Sequence, residues 1–190
     1  MQETEVFYPK RADEWRNWLE KNHLCKTSVW LVFYSKASEK PAITWSDAVD
    51  IALCYGWIDS KKVKIDHETS HQFFSKRKAK STWSKINKDK ISKLAEAGLM
   101  AQAGLESVEL AKKNGSWTLL DEVEELVVPE DLEQALRAKP GAQAFFEGLS
   151  KSVRKMMLQW IVLARRPETR QNRIAEIAEL ASKGTKPKQF

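Results

Sequence analysis

The apolar pattern of this chain changes along its length, and that change limits the folds it can adopt. Ser28–Tyr34 (SVWLVFY) is β-branched, aromatic and too short for a helix of its own, which predicts a buried strand. Residues 57–65 alternate between apolar and polar side chains, and residues 70–76 can pair with them as a hairpin. From Pro129 onward only helical spacing remains. We therefore predict an α+β protein, with a small antiparallel sheet and helices in the N-terminal part and an all-helical C-terminal part.

The same pattern divides the chain into segments. Residues 1–116 are the predicted α+β part, and residues 129–183 are the predicted helical domain. Between them, residues 117–128 are rich in acidic side chains, which is typical of a linker or strap. The last residues, 184–190 (GTKPKQF), are expected to fray, because chain termini without apolar anchors are usually poorly ordered.

Hydroxyl side chains mark three predicted helix starts. Thr44 is followed by Asp47 in the manner of a capping box, and the helix that begins there is expected to stop at Gly56. Ser84 and Ser150 are the other predicted N-caps, since a serine oxygen can accept from the first free backbone N–H groups.

Composition argues for a soluble protein without a metal or cofactor. Hydrophobic residues make up 42% and charged residues 31% of the 190 residues, which is normal for a folded domain. Cys25 and Cys54 form neither a CxxC motif nor a disulfide framework. His67 and His71 fall in one predicted hairpin arm, where four residues span about 13 Å, too far for one metal ion.

The location of the protein is predicted from what its sequence lacks. The first residues, MQETEVFYPKR, have no apolar segment of the kind found in secretory signals. No apolar run approaches the roughly 20 residues of a membrane span. We therefore expect a cytoplasmic protein that does not insert into membranes.

The positive charge is concentrated in residues 61–90. This segment has ten basic and three acidic residues, so it carries a net charge of +7, and the rest of the chain, which totals +6, carries −1. Phe73, Phe74 and Trp83 are interleaved with Lys76, Arg77, Lys78 and Lys80. Stacking aromatic rings and phosphate-binding cations are what single-stranded nucleic acid requires. Nucleic acid is therefore an alternative partner.

Several motifs resemble those of the YdeI/OmpD-associated family, also called bacteriocin-protection. In the first half they are ALCYGWID at 52–59, FxxKR ending at Arg77, STWSKIN at 81–87 and GLMAQAG at 98–104. In the second half they are VPEDLEQAL at 128–136, an apolar helix with Trp160, and ETRQNRI at 168–174. The resemblance implies a role in tolerance of envelope-directed toxic peptides. It implies no catalytic residue.

One group of polar and aromatic residues in these motifs is the first candidate site. Its members are Trp57, Asp59, Arg77, Trp83, Ser84 and Asn87. As a pocket, it would hold an anion on Arg77, with a tryptophan stacked beside it. As a structural lock, Asp59 would pair with Arg77, and Ser84 and Asn87 would satisfy backbone groups. The sequence leaves both interpretations open.

Three arginines in the C-terminal part are the second candidate. Arg166, Arg170 and Arg173 share one face if the last helix is extended backwards. They are a solvated stripe, a second anion site, or a docking face for the acidic residues 121–125. On the preceding helix, Trp160 lies in an apolar stripe and is predicted to be a core residue.

These observations favour a non-enzymatic bacterial stress or resistance factor that binds an unidentified protein or an anionic ligand. No nucleophile-and-base motif, P-loop or dinucleotide-binding fingerprint is present. The alternatives are a nucleic-acid-binding module that uses residues 61–90, and a small-molecule enzyme with a pocket between Trp57 and Arg77. The sequence leaves the oligomeric state open.

Overall fold

The computed structural model of the chain describes residues 4–35 and 37–190. Residues 1–3 and 36, which fall within the predicted α+β part, lie outside the described residues. The chain folds as two compact units, one that ends at Trp117 and one that spans Thr118–Phe190. The N-terminal unit combines a sheet with helices and the C-terminal unit is helical, which confirms the predicted α+β class.

The N-terminal unit has a mixed order of strands and helices. Its elements are β1 (Val6–Phe7), α1 (Ala12–Asn22), β2 (Ser28–Tyr34), α2 (Trp45–Cys54), β3 (Trp57–Lys64), β4 (Thr69–Lys76), α3 (Lys85–Glu96) and α4 (Gln102–Lys113). The strands form one sheet in the order β1-β2-β4-β3. The β2–β4 and β3–β4 pairs are antiparallel, as predicted, but β1 pairs in parallel with β2. Strand β1 was not predicted, because two residues cannot show a strand period.

The β3–β4 hairpin is closed by a side chain. Oδ1 of Asp66 accepts from the N–H groups of Glu68 at 2.8 Å and Thr69 at 2.7 Å. An aspartate that binds the backbone two or three residues ahead stabilises a tight turn. The predicted hairpin is confirmed, with one irregularity in the β3 register between Asp59 and Lys62.

Aromatic side chains fill the core between the sheet and its covering helices. Trp15 of α1 stacks on Trp18 at 5.3 Å and meets Phe74 of β4 edge-on at 5.5 Å. Trp18 in turn meets Trp57 of β3 at 5.9 Å. The indole N–H of Trp15 donates to the Ala48 carbonyl at 3.1 Å, so this buried polar group is satisfied.

The predicted helix starts are confirmed. Thr44 Oγ1 accepts from the N–H of Asp47 at 3.1 Å, and Ser84 Oγ accepts from the N–H of Asn87 at 3.3 Å. In the C-terminal unit Ser150 caps α8 in the same way. Helix α2 ends before Gly56, whose φ of +71° is a left-handed conformation that glycine adopts without steric cost.

Two of the glycine-containing motifs meet where α2 packs against α4. The N–H of Ala101 donates to the Cys54 carbonyl at 3.0 Å. A Cβ at Gly104 would lie 2.2 Å from that same carbonyl oxygen. The close approach therefore requires a residue without a side chain at position 104, which explains the second glycine of GLMAQAG.

The C-terminal unit is built from short helices. They are α5 (Asp121–Glu124), α6 (Glu130–Arg137), α7 (Ala142–Gly148), α8 (Lys151–Val162) and α9 (Pro167–Ser182). The acidic segment predicted to be a linker or strap contains α5, and Val123 of α5 is buried in the core of this unit. The predicted inward face of α9 is confirmed by the burial of Ile174, Ile177, Ala178 and Ala181.

Helix α8 is rotated relative to the prediction. Its buried residues are Met157, Leu158 and Ile161. Met156 is exposed, and Trp160 is only partly buried, with Phe190 edge-on to it at 5.6 Å. The prediction that Trp160 is a core residue is met only in part, since the residue packs against the core from its edge. The helix carries two adjacent apolar stripes, and spacing alone does not say which one faces inward.

The C-terminal residues also have contacts within this unit. The N–H of Thr185 donates to the Leu180 carbonyl at 2.9 Å, and Pro187 is buried. Residues 184–190, expected from the sequence to fray, thus include one side chain, that of Phe190, that packs against Trp160. Among the described residues, no helix is long and apolar enough to cross a membrane.

Candidate anion-binding site

Arg77 directly follows β4 and lies beside Trp83. Its backbone N–H donates to the Gly56 carbonyl at 2.9 Å, which ties the residue to the end of α2. Its Nη2 donates to the Thr82 carbonyl at 2.7 Å. The guanidinium carbon is 3.6 Å from the centroid of the Trp83 ring, within the range of a cation–π contact. Trp83 is 2% exposed and packs against Trp117 at 5.0 Å, so this aromatic support is rigid.

Two side-chain nitrogen atoms of Arg77 lack a partner among the described residues. In the part of the chain that the structure describes, neither Nε nor Nη1 has a hydrogen-bond acceptor, and both atoms are buried. A buried donor that loses water without gaining an acceptor costs about 1–3 kcal/mol, and more when it is charged. Burial, the larger effect, lowers the pKa of Arg77 to about 10, while the negative charge of Asp59 acts in the opposite direction.

Asp59 has other partners than Arg77. Its Oδ2 accepts from Nε1 of Trp45 at 3.0 Å and from Nε2 of Gln72 at 3.2 Å. Gln72 is 4% exposed and also donates to the Ser60 carbonyl at 3.2 Å. Over residues 4–35 and 37–190, the structure contains no ion pair between Asp59 and Arg77. The direct contact expected from a lock is therefore not formed, although the two charges still interact at longer range.

The structure divides the remaining members of the first candidate group. Trp57 is fully buried against Trp18, and its Nε1 has no hydrogen-bond partner among the described residues. Ser84 and Asn87 meet at the start of α3, where Ser84 caps the helix. Arg77 and Trp83 are thus the pair that the structure brings together, whereas Trp57 and Asp59 have separate surroundings.

A cavity of about 250 Å³ adjoins Arg77. Its lining includes His23, Tyr55, Lys76, Arg77, Trp83 and Glu106. Two of these side chains already have partners, because Lys76 Nζ donates to the Leu24 carbonyl at 3.0 Å and Glu106 accepts from Gln102 at 3.0 Å. Sequence analysis missed His23, Tyr55 and Glu106, since they come from the ends of α1 and α2 and from α4, and no local pattern links these elements.

The second candidate group is engaged within the C-terminal unit. Arg170 holds Asp131 with two hydrogen bonds, Nε to Oδ2 at 2.7 Å and Nη2 to Oδ1 at 2.9 Å. This contact lowers the pKa of the Asp131 carboxyl. Arg173 donates to the Trp160 carbonyl, and its guanidinium carbon is 4.9 Å from the Trp160 ring. Arg166 is exposed and precedes α9. Arg170 therefore docks on Asp131 of α6 rather than on residues 121–125.

The basic segment 61–90 is spread over several surroundings. Phe74 and Trp83, two of the three aromatic residues expected to stack on nucleic acid, are buried in the core. The third, Phe73, meets Trp30 at 4.9 Å, and Lys61 Nζ is 5.6 Å from its ring. Lys90 forms an ion pair with Asp50. The segment therefore does not form one continuous surface of aromatic and basic side chains.

Fold and site together define a two-unit protein, in which an α+β unit with a buried, incompletely partnered arginine precedes a helical unit. The family model described as Domain of unknown function (DUF8412) matches residues 7–107, which is more than half of the chain. The chain therefore belongs to the DUF8412 family. The model described as Bacteriocin-protection, YdeI or OmpD-Associated (OmdA) matches residues 125–184, which confirms the resemblance drawn from the sequence. No curated protein and no solved structure matches the chain.

The motifs that carried the resemblance fall into two groups, one within each matched segment. The ALCYGWID, STWSKIN and GLMAQAG motifs lie inside residues 7–107, so they belong to the DUF8412 part. The VPEDLEQAL and ETRQNRI motifs lie inside residues 125–184. Arg77 thus lies in the part of the chain that the DUF8412 model matches.

Proposed function

We propose that this protein acts in bacteriocin tolerance by binding a cellular partner, and that Arg77 binds an anionic group of that partner. The family description of the C-terminal domain supports the biological role. The observation that carries the binding site is the pair of buried nitrogen atoms of Arg77, Nε and Nη1, that have no acceptor among the described residues. The site rests on this chain's own geometry and does not depend on the family name.

The geometry favours a carboxylate or phosphate group. Their oxygens are anionic acceptors, and a hydrogen bond from a guanidinium N–H to such an oxygen is stronger than a hydrogen bond between neutral groups. The Trp83 ring occupies one face of the guanidinium and Thr82 takes Nη2, so Nε and Nη1 are left for an acceptor. The cavity volume of about 250 Å³ falls below the usual range for drug-sized ligands, which favours a small group at the end of a larger partner.

The alternatives have less support. The aromatic side chains that a nucleic-acid surface would need, Phe74 and Trp83, are buried. An enzyme would need reacting groups in addition to a binding group, and in the lining of the cavity Glu106 is already bonded to Gln102 and His23 Nδ1 to the Leu19 carbonyl. Binding is therefore the function that we favour over catalysis.

Net charge bears on how protection works. Toxic envelope peptides are usually cationic, and a chain with a net charge of +6 repels them. We therefore propose that the protein protects indirectly, through an anionic partner in the cell, and does not sequester the toxic peptide.

The test compares partner capture by matched variants. Cells under bacteriocin challenge would express wild type, Arg77→Met or Lys113→Gln, and bound proteins would be recovered by cross-linking and identified by mass spectrometry. Lys113→Gln removes the same charge from an exposed position at the end of α4. We expect wild type and Lys113→Gln to protect and to recover the same partner, and Arg77→Met to do neither. Equal recovery with Arg77→Met would show that the partner binds elsewhere.

A further inference from the structure

A second and larger cavity lies at the hairpin end of the sheet. Its volume is about 670 Å³, and it is bounded by β3 and β4, the turn that joins them, and the segment that leads into α2. Its lining includes Lys40, Trp45, Lys62, Lys64 and Ser70. A volume in this range is typical of small-molecule sites. Arg77 and Trp83 do not line this cavity, so it is separate from the site described above.

Trp45 presents a fixed aromatic ring at this cavity. The residue is 53% exposed, which is unusual for a side chain that buries so much area elsewhere in proteins. Its Nε1 donates to Asp59 Oδ2 at 3.0 Å, and the buried amide of Gln72 holds the same oxygen. An exposed ring that is already oriented loses little conformational freedom when a planar ligand stacks on it.

Strand β3 supplies positive charge to the lining of this cavity. Lys62 and Lys64 are two residues apart on β3, so both side chains lie on the same face of the sheet, beside Gln72 and Ser70. Both are exposed, and neither has an ion-pair or hydrogen-bond partner within the described part of the chain. Lys40 adds a third ammonium group, and its Nζ is 4.6 Å from the Tyr34 ring.

Carboxylates at the turn do not cancel this charge. Asp66 and Glu68 also line the cavity, which leaves three lysines against two acids. Oδ1 of Asp66 is occupied by two backbone N–H groups of the turn, and the side chain of Glu68 is 3.9 Å from His67. The lysines on β3 therefore remain the groups available to an anion.

We propose that this cavity binds a nucleoside phosphate, with the base stacked on Trp45 and the phosphate held by Lys62 and Lys64. An aromatic platform next to paired ammonium groups suits a planar ring that carries a phosphate. Ser70 also lines the cavity. Its hydroxyl can donate a hydrogen bond to a ribose oxygen or accept one from a ribose hydroxyl. Asp59 acts here as a positioning residue for Trp45, which gives this acidic residue of the ALCYGWID motif a role that does not involve Arg77.

The experiment divides the ligand into its parts. Isothermal titration calorimetry would compare adenosine monophosphate with adenosine, which lacks the phosphate, and with ribose 5-phosphate, which lacks the base. We expect adenosine monophosphate to bind in the micromolar to millimolar range, more tightly than either fragment, and more weakly as salt is added. Absence of saturable binding at millimolar ligand would overturn the proposal, as would equal binding of all three compounds.

Variants locate the site. Trp45→Ala should weaken the binding of adenosine monophosphate at least about fivefold, because the loss of stacking between one base and one aromatic ring changes an affinity by at least about that factor. Trp45→Phe keeps an aromatic plane and should retain most of the affinity. The double variant Lys62→Gln/Lys64→Gln should remove the salt dependence of adenosine monophosphate binding. Lys113→Gln, the charge control, should keep the salt dependence of wild type. Unchanged binding by Trp45→Ala would overturn the proposal. Loss of binding in Arg77→Met would also overturn it, because it would place the ligand in the cavity beside Arg77. Thermal unfolding of each variant checks that it is folded.

Discussion

The guanidinium carbon of Arg77 lies 3.6 Å from the centroid of the Trp83 ring. This contact places a charged group on a buried aromatic plane, and one further bond joins it to the Thr82 carbonyl. Nε and Nη1 have no acceptor among the described residues. The arginine is thus held in place by contacts that leave part of its hydrogen-bonding capacity unused.

Stability measurements should show that Arg77 and Asp59 are not a locked pair. We expect Arg77→Met to change the free energy of unfolding by about 1 kcal/mol or less, since it removes a buried, partly unsatisfied charge along with its cation–π contact. Asp59→Asn combined with Arg77→Met should show a coupling of at most about 1 kcal/mol, as expected for charges without a direct contact. Seven of the eight tryptophans lie in the N-terminal unit, so tryptophan fluorescence during urea unfolding reports on it. Losses of about 3–5 kcal/mol for each single change, with strong coupling, would instead restore the lock.

The α2–α4 contact gives a prediction for a motif glycine. Gly104→Ala would place a methyl group against the Cys54 carbonyl oxygen, and backbone atoms cannot move aside as a flexible side chain can. We expect a loss of about 1–3 kcal/mol in the free energy of unfolding. Gly148→Ala is the control, because nothing lies within 4 Å of a Cβ there. Its effect should stay within about 0.5 kcal/mol. Equal behaviour of the two variants would mean that α2 and α4 do not pack this closely.

Local signals predicted much of the fold. A hydroxyl at a helix start acts within three residues, so Thr44, Ser84 and Ser150 could be recognised as caps from the sequence. The β2 strand and the β3–β4 hairpin were predicted for the same reason, since period and turn residues are local. Strand β1 was missed because its two residues are ordered only by pairing with β2.

The candidate site could be predicted only in part. The sequence marked Arg77 and Trp83 as members of one group, and they are in contact. One of the two interpretations that the sequence left open paired Asp59 with Arg77, but Trp45 of α2 and Gln72 of β4 bind that carboxylate instead. Such competition depends on tertiary placement, which no spacing along the chain records. The same limit applies to the cavity residues from α1 and α4.

Acid should weaken the C-terminal unit through Glu179. The Glu179 carboxylate accepts from Lys139 Nζ at 2.6 Å and from Lys183 Nζ at 2.8 Å. These hydrogen bonds, of which the one from Lys139 has the larger effect, lower the pKa of Glu179 from 4.5 to about 2. Because the folded pKa lies below the unfolded one, the stabilisation is complete above pH 4.5 and is lost as the pH falls towards 2.

We expect the urea midpoint of wild type, followed by circular dichroism, to fall more steeply over this pH range than that of Glu179→Gln. Glu176→Gln, at an exposed position of the same helix, should follow wild type. Parallel pH profiles for wild type and Glu179→Gln would show that the two lysines do not hold this carboxylate in solution.

The most direct test of anion binding by Arg77 is an NMR titration with acetate and with inorganic phosphate, in which the Nε–Hε resonance of Arg77 is followed. Arg170 is the internal control, because its Nε already donates to Asp131 at 2.7 Å. We expect the Arg77 signal to begin at a position typical of an unbonded donor and to move downfield in a saturable manner, while the Arg170 signal stays still. An Arg77 signal that is already shifted downfield without an anion, or that does not move as either anion is added, would contradict it.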